Sequence, residues 1–179
     1  KKKSNPFSDI KSDQIAIFKD SFYIVCGERL LLFEHKTPKG KYAVIEELKN
    51  EKIIKIKGID DKLFVYCKSK NAEKLESKLG IYETENKTFK YILRNDGASG
   101  KSSSNIYISD IFSFYKYNET FYLSLDAKDS TSSYSNKKVI CLDLKNEDYQ
   151  IICGLKNDWN KLYFCNNKIF YFESNTYFC

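Results

Sequence analysis

Four short stretches of this chain share one layout. They read "DSFYIVC" from Asp20, "DDKLFVYC" from Asp60, "NETFYLSL" from Asn118 and "NKLYFC" from Asn160. Each opens on Asp or Asn, which tolerate turn conformations, and runs into an apolar and aromatic segment of the kind that forms a strand. Their first apolar residues, Phe22, Leu63, Phe121 and Leu162, are spaced by 41, 58 and 41 residues. Self-similarity at a fixed period constrains a fold more than composition does. Every unit must repeat one supersecondary structure and bury its open surface against a neighbour. The long interval contains "RNDGASGKSSSN", a Gly- and Ser-rich stretch that reads as an inserted loop over residues 94–105.

A second run follows each of these: "LLLFE" from Leu30, "LGIYE" from Leu79, "VICLD" from Val139 and "IFYFE" from Ile169, each closed by a carboxylate. Third runs are "KYAVI" from Lys41, "TFKYIL" from Thr88, "DYQII" from Asp148 and "TYFC" from Thr176. Ahead of the first three units stand "QIAIF" from Gln14, "KIIKIKGI" from Lys52 and "IFSFYKY" from Ile111, whereas "GLKNDW" before the fourth lacks a strand pattern. Period-two alternation and β-branched or aromatic content assign these runs to strands. Gly27-Glu28 between two of them reads as a tight hairpin turn. The one helix-like stretch is "NAEKLESKLG", Asn71 to Gly80.

The expected fold is therefore all-β, a single domain over residues 1–179 with units at about 14–45, 52–93, 111–153 and 160–179. Up to four short antiparallel strands in about 41 residues resembles a β-propeller blade of the kelch-like or WD40-like kind. The resemblance is one of layout and covers most of the chain. The Gly-Gly doublet of kelch repeats and the Trp-Asp dipeptide of WD40 repeats are absent, and Trp159 is the sole Trp. It implies about four blades, closing as a small ring or forming part of a larger one completed by another segment or chain. The chain stops at Cys179 inside a strand-like run, which favours such completion. The alternative is a two-sheet β-sandwich of meandering hairpins.

The repeat also bears on the six cysteines. Cys26, Cys67 and Cys165 sit at near-equivalent places in successive units. Neighbouring sheets pack about 10 Å apart, whereas a disulfide needs Cα atoms within about 7 Å, so these three are not expected to pair. Cys141 and Cys153 fall on consecutive strands of one unit and are the candidate disulfide. Reduced cysteines buried in strands point to the cytoplasm or nucleus. A secreted domain with intra-blade bridges is the alternative, with Asn86-Lys-Thr and Asn118-Glu-Thr as sequons. Metal binding is not expected, because there is no Cys-x2-Cys pair and His35 is the only histidine.

A net charge of +6 raises nucleic acid as a partner, but only Arg29 and Arg94 among the 30 basic residues are arginine. Arginine is the preferred fork for phosphates and guanine edges, and the lysines are dispersed. Nucleic acid is thus not expected as a partner. No apolar run approaches the roughly 20 residues of a transmembrane helix. No phosphate-cradling glycine motif occurs, and nothing brings a nucleophile to His35. The carboxylate pairs Glu46-Glu47 and Asp60-Asp61 read as turn residues. They would serve the third alternative, a propeller hydrolase acting on sugars.

What remains is aromatic surface. The chain holds 14 Tyr and 13 Phe, and "SNIYISDIFSFYKYNETFYLSL" has too many in succession to bury them all. Exposed Tyr gives large contact area at little side-chain entropy cost. Tyr107, Phe112, Phe114, Tyr115 and Tyr117 are the candidate partner-binding residues. The expected function is a non-enzymatic protein-interaction scaffold within a larger protein or complex, needing no cofactor. A secreted, disulfide-stabilised binding or adhesion domain is the alternative.

Overall fold

The computed structural model describes residues 10–18, 20–27, 29–34, 37–42, 45–71, 77–94, 106–129, 135–146, 148–155, 162–165 and 168–171. The chain is all-β. It divides into two compact units, Lys1–Asp96 and Gly97–Cys179, described here one at a time.

The first unit holds two four-stranded antiparallel meanders. One comprises β1 (Ile15–Ile17), β2 (Ser21–Cys26), β3 (Arg29–Glu34) and β4 (Thr37–Tyr42). The other comprises β5 (Glu51–Ile59), β6 (Lys62–Ser69), β7 (Ser77–Glu83) and β8 (Thr88–Arg94). Single 3-10 turns at Ser12–Gln14 and Glu46–Leu48 flank them. The turns follow local chemistry. Gly27 has φ +65° between paired Cys26 and Arg29, and Asp60 has φ +55° between paired Ile59 and Lys62. Glycine meets no Cβ penalty there, and Asp is among the few side chains that tolerate it.

The two meanders pack face to face. Ala16, Tyr23, Val25 and Leu30 of the first bury against Ile53, Ile56, Leu63, Val65 and Cys67 of the second, with Ile45 and Leu48 between strands β4 and β5. Each fully buried aliphatic side chain contributes about 1.5–3 kcal/mol over an exposed one. Tyr23 anchors the contact, edge-on to Phe18 at 5.7 Å and to Tyr82 at 6.3 Å. At Gly80 in β7 the ring of Phe89 occupies the space a Cβ would need. This face-to-face pair agrees with the sandwich-like alternative. Among the described residues no sheet closes on itself as a barrel.

The second face of the β5–β8 sheet carries buried side chains as well. Phe64, Tyr66, Leu79 and Leu93 are fully buried and Ile81 is 1% exposed, all pointing away from the first sheet by the strand alternation. The stretch with helical character ends differently from its sequence pattern. Ser77 to Gly80 belong to β7, because Leu79 and Gly80 pair across to Tyr66 and Val65 in the buried ladder. Residues 72–76 lie outside the described residues, as do 95–105 of the inserted loop, whose first residue, Arg94, ends β8.

The second unit holds a third four-stranded meander: β9 (Ile106–Tyr117), β10 (Thr120–Asp129), β11 (Ser135–Asp143) and β12 (Asp148–Leu155). Asn118, with φ +52°, makes the β9–β10 turn as Asp60 makes the β5–β6 turn. One face of this sheet carries Ile108, Ile111, Phe121, Leu123, Leu125, Ile140 and Leu142, all buried. A two-stranded hairpin follows, β13 (Leu162–Cys165) and β14 (Lys168–Tyr171). Trp159 and the run from Thr176 lie outside the described residues.

Candidate interaction surface

Strand β9 places the aromatic candidates, and two bulges in its pairing with β10 decide where they point. Ser124 opposes Ser113 while Leu125 opposes Ile111, so Phe112 has no cross-strand partner of its own. A second register shift falls at Ser109, between Asp126–Asp110 and Ala127–Ile108. Bulges bend a strand and re-aim its side chains. Phe112 is 41% exposed and Tyr107 is 47% exposed. Phe114, Tyr115 and Tyr117 are half-buried instead, with Tyr115 in a cross-strand row with Tyr122 and Cys141. The five candidates are thus divided, two open and three partly covered.

Charge gathers beside Phe112. Asp110, Asp126 and Lys137 form one cross-strand row, and the Lys137 ammonium lies 5.6 Å from the Phe112 ring centroid. At an exposed site such a cation–π contact contributes about 0.5–1 kcal/mol and holds the ring in place. The Asp110 carboxylate accepts the Ile111 N–H at 2.9 Å, which fixes the backbone next to the bulge. An aromatic ring framed by charges of both signs suits a wet, polar protein contact.

The structure does not bring the candidate disulfide together. Cys153 opposes Val139, whereas Cys141 opposes Gln150, with a bulge between Val139 and Ile140. The two cysteines are diagonal neighbours, at roughly 7–8 Å by general sheet geometry, beyond disulfide range. Neither is in a disulfide, and nor is Cys67. Burial raises the pKa of both Cys141 and Cys153. Cys67 goes furthest: its thiol donates to the Lys78 carbonyl at 3.7 Å, and burial, then nearby Glu51, pushes it up to about 12. A thiol so held is not a nucleophile at neutral pH.

The carboxylate pairs have structural company. Asp61 pairs with Lys62 at 2.9 Å, and its carbonyl accepts both the N–H and the hydroxyl of Thr84. Glu46 and Glu47 start a 3-10 turn, and the Glu47 carbonyl accepts the Tyr91 hydroxyl at 2.6 Å. Asp143 caps the β11–β12 turn, accepting the Asn146 side-chain amide at 2.7 Å and the N–H groups of Asn146 and Lys145. Those bonds, from Asn146 above all, hold its carboxyl below the usual range. No group of three or more metal-ligating side chains occurs among the described residues, and His35 lies outside them. No helix among the described residues is long and apolar enough to cross a membrane.

Sequence reasoning passed over other open apolar residues. Ile151 and Ile152 of β12 are 43% and 42% exposed. Tyr163 and Phe170, cross-strand partners in the β13–β14 hairpin, are each 48% exposed. Ile17 of β1 is 77% exposed, the most open large apolar side chain described. The signal was present for the hairpin, where aromatics stand next to one another at Tyr163-Phe164 and Phe170-Tyr171. It was absent for Ile17, which reads as an ordinary strand residue.

No family model matches the sequence, and no curated protein matches it either. Among solved structures, the chain is similar to the extracellular domain of a putative one-component system from B. thetaiotaomicron, with a TM-score of 0.52 and 14% identity. The match covers 91% of this chain and 20% of that one. The chain therefore spans about a fifth of the length of the solved chain, and the likeness is one of fold alone.

Proposed function

We propose that the chain is a non-enzymatic protein-interaction scaffold built from stacked four-stranded sheets, a propeller-like segment of a larger protein. The observation that carries this reading is the β5–β8 sheet. Leu63, Val65 and Cys67 on one face and Phe64, Tyr66 and Leu79 on the other are all fully buried. A two-sheet sandwich leaves each sheet a solvent face, whereas stacking covers both sides of an inner sheet. Binding in this reading falls to Tyr107 and Phe112, open aromatics on a strand whose bulges fix their direction.

A photo-reactive phenylalanine analogue at position 107 tests the reading. The expected result is a discrete protein adduct, with partner affinity at least tenfold weaker in Tyr107→Ala/Phe112→Ala. The double variant should keep the parent melting temperature. An unchanged affinity in a folded double variant refutes these residues as the contact.

A second reading is supported by the fold likeness to an extracellular domain. Here the same surface serves a binding domain outside the cell, with any bridge formed by cysteines other than Cys67, Cys141 and Cys153. It predicts fewer than six free thiols in the denatured chain purified without reductant, and six free thiols exclude the bridged form.

A further inference from the structure

The first sheet carries apolar side chains on both faces, and its outer face is open along β1 and β2. Its inner face, with Ala16, Tyr23, Val25 and Leu30, packs on β5 and β6. Its outer face carries three cross-strand rows, Ile17–Phe22–Phe33, Ile15–Ile24–Leu31 and Cys26–Arg29, of which Leu31 is buried. Ile17 is 77% exposed, Phe22 37% and Ile15 36%, and the Phe22 and Phe33 rings stack in parallel at 4.7 Å. The solvent face of an antiparallel sheet ordinarily alternates to polar residues. Here the rows through β1 to β3 stay aliphatic and aromatic, and the one charged side chain on this face of β2 and β3 is Arg29, paired with Cys26 at the hairpin end.

We propose that this outer face docks a further four-stranded antiparallel sheet, with an aliphatic and aromatic face of its own, supplied by polypeptide of the same protein beyond these 179 residues. The inference rests on the stacked-sheet reading and names where the stack continues. The open area selects the occupant. Ile15, Ile17 and Phe22 at their measured exposures present on the order of 300 Å² of apolar surface. A free partner or a second copy needs about 800 Å² on each side for a stable contact. A sheet tethered in the same polypeptide is at millimolar effective concentration, so a small face suffices. The β5–β8 sheet is the precedent within the molecule, with apolar side chains buried on both sides. The fold-similar solved chain has about four fifths of its length beyond the matched part, room for such sheets.

Hydroxyl-radical footprinting with mass spectrometry compares the 179-residue chain with the full natural polypeptide. Expected is at least fivefold slower oxidation of Ile17 and Phe22 in the full polypeptide, with Tyr107 as a measured control site. Ile17→Lys is expected to lower the melting temperature of the full polypeptide and leave that of the 179-residue chain unchanged. Equal oxidation of Ile17 and Phe22 in both forms overturns the proposal. So does a concentration-dependent dimer of the 179-residue chain, in sedimentation, that Ile17→Lys dissolves, since that assigns the face to a second copy. Failure of the stacked-sheet reading has a separate signature, rapid oxidation of Phe64 and Tyr66 in β6. Failure of the Tyr107 and Phe112 contact leaves the protection of Ile17 intact.

Discussion

Replacing Lys78 by Met should be among the most damaging single changes in the first unit, and the reason lies in its partner. The Lys78 ammonium donates to Glu51 Oε1 at 2.7 Å, with the two side chains only 13% and 7% exposed. The other carboxylate oxygen, Oε2, is buried without a hydrogen bond. At an effective dielectric near 20, charges 2.7 Å apart attract by roughly 6 kcal/mol. Desolvation costs several kcal/mol for each ion, so the pair as a whole is worth little. Removing one partner is another matter, because it keeps the desolvation of the survivor and discards the attraction. Lys78→Met and Glu51→Leu should each cost about 3–5 kcal/mol. The double variant should fall between neutral and about 4 kcal/mol more stable than the parent. Urea unfolding of the four proteins at pH 7 reads this as midpoint shifts at unchanged slope. Two single costs below about 1 kcal/mol, adding without coupling in the double variant, would refute a buried ion pair here.

Gly80→Ala should destabilise by about 1–3 kcal/mol, since its Cβ must displace the Phe89 ring, which packs edge-on against Tyr91 at 4.9 Å. The cost should shrink by at least about 0.5 kcal/mol in a Phe89→Ala background, and an equal cost in both backgrounds contradicts the overlap. Alkaline stability follows from burial of Cys67 and Tyr23, each raised to about 12 from ordinary values of 9.0 and 10.0. The native state keeps both protonated where the unfolded chain releases them. This contribution is complete below pH 9 and is lost as pH rises toward 12, at about 1.4 kcal/mol per pH unit for each proton. Cys67→Ala should flatten the decline above pH 9 in denaturant midpoints measured from pH 8 to 11. An unchanged slope would show that Cys67 titrates normally.

Much of the strand order was readable in advance because its signals are local. The runs from Phe22, Leu63, Phe121 and Leu162 lie in β2, β6, β10 and β13, and Asp60 and Asn118 take the left-handed backbone that Asp and Asn tolerate. The start of β7 at Ser77 and Lys78 misled because "EKLESKL" fits a helical period, and pairing of Lys78 with Cys67 and of Ser77 with Lys68 overrode it. The disulfide candidate misled for a related reason. Counting residues around a hairpin assumes a regular ladder, and the bulge at Val139–Ile140 shifts Cys153 to Val139. Of the five aromatic candidates, the residues around them do not distinguish Phe112 from Phe114. The β9 bulge does, by leaving Phe112 out of the pairing.

By itself the sequence determined the all-β class, the grouping of strands into successive hairpins and the turns between them. Alternation with period two and the backbone preferences of Asp, Asn and Gly act within a few residues. Tertiary structure alone decided which faces are covered, because burial depends on what lies about 10 Å away across a sheet. Ile17 and Val65 are both β-branched residues in apolar strands, yet one is 77% exposed and the other fully buried. Val65 has a sheet packed over it, and the face of Ile17 is open.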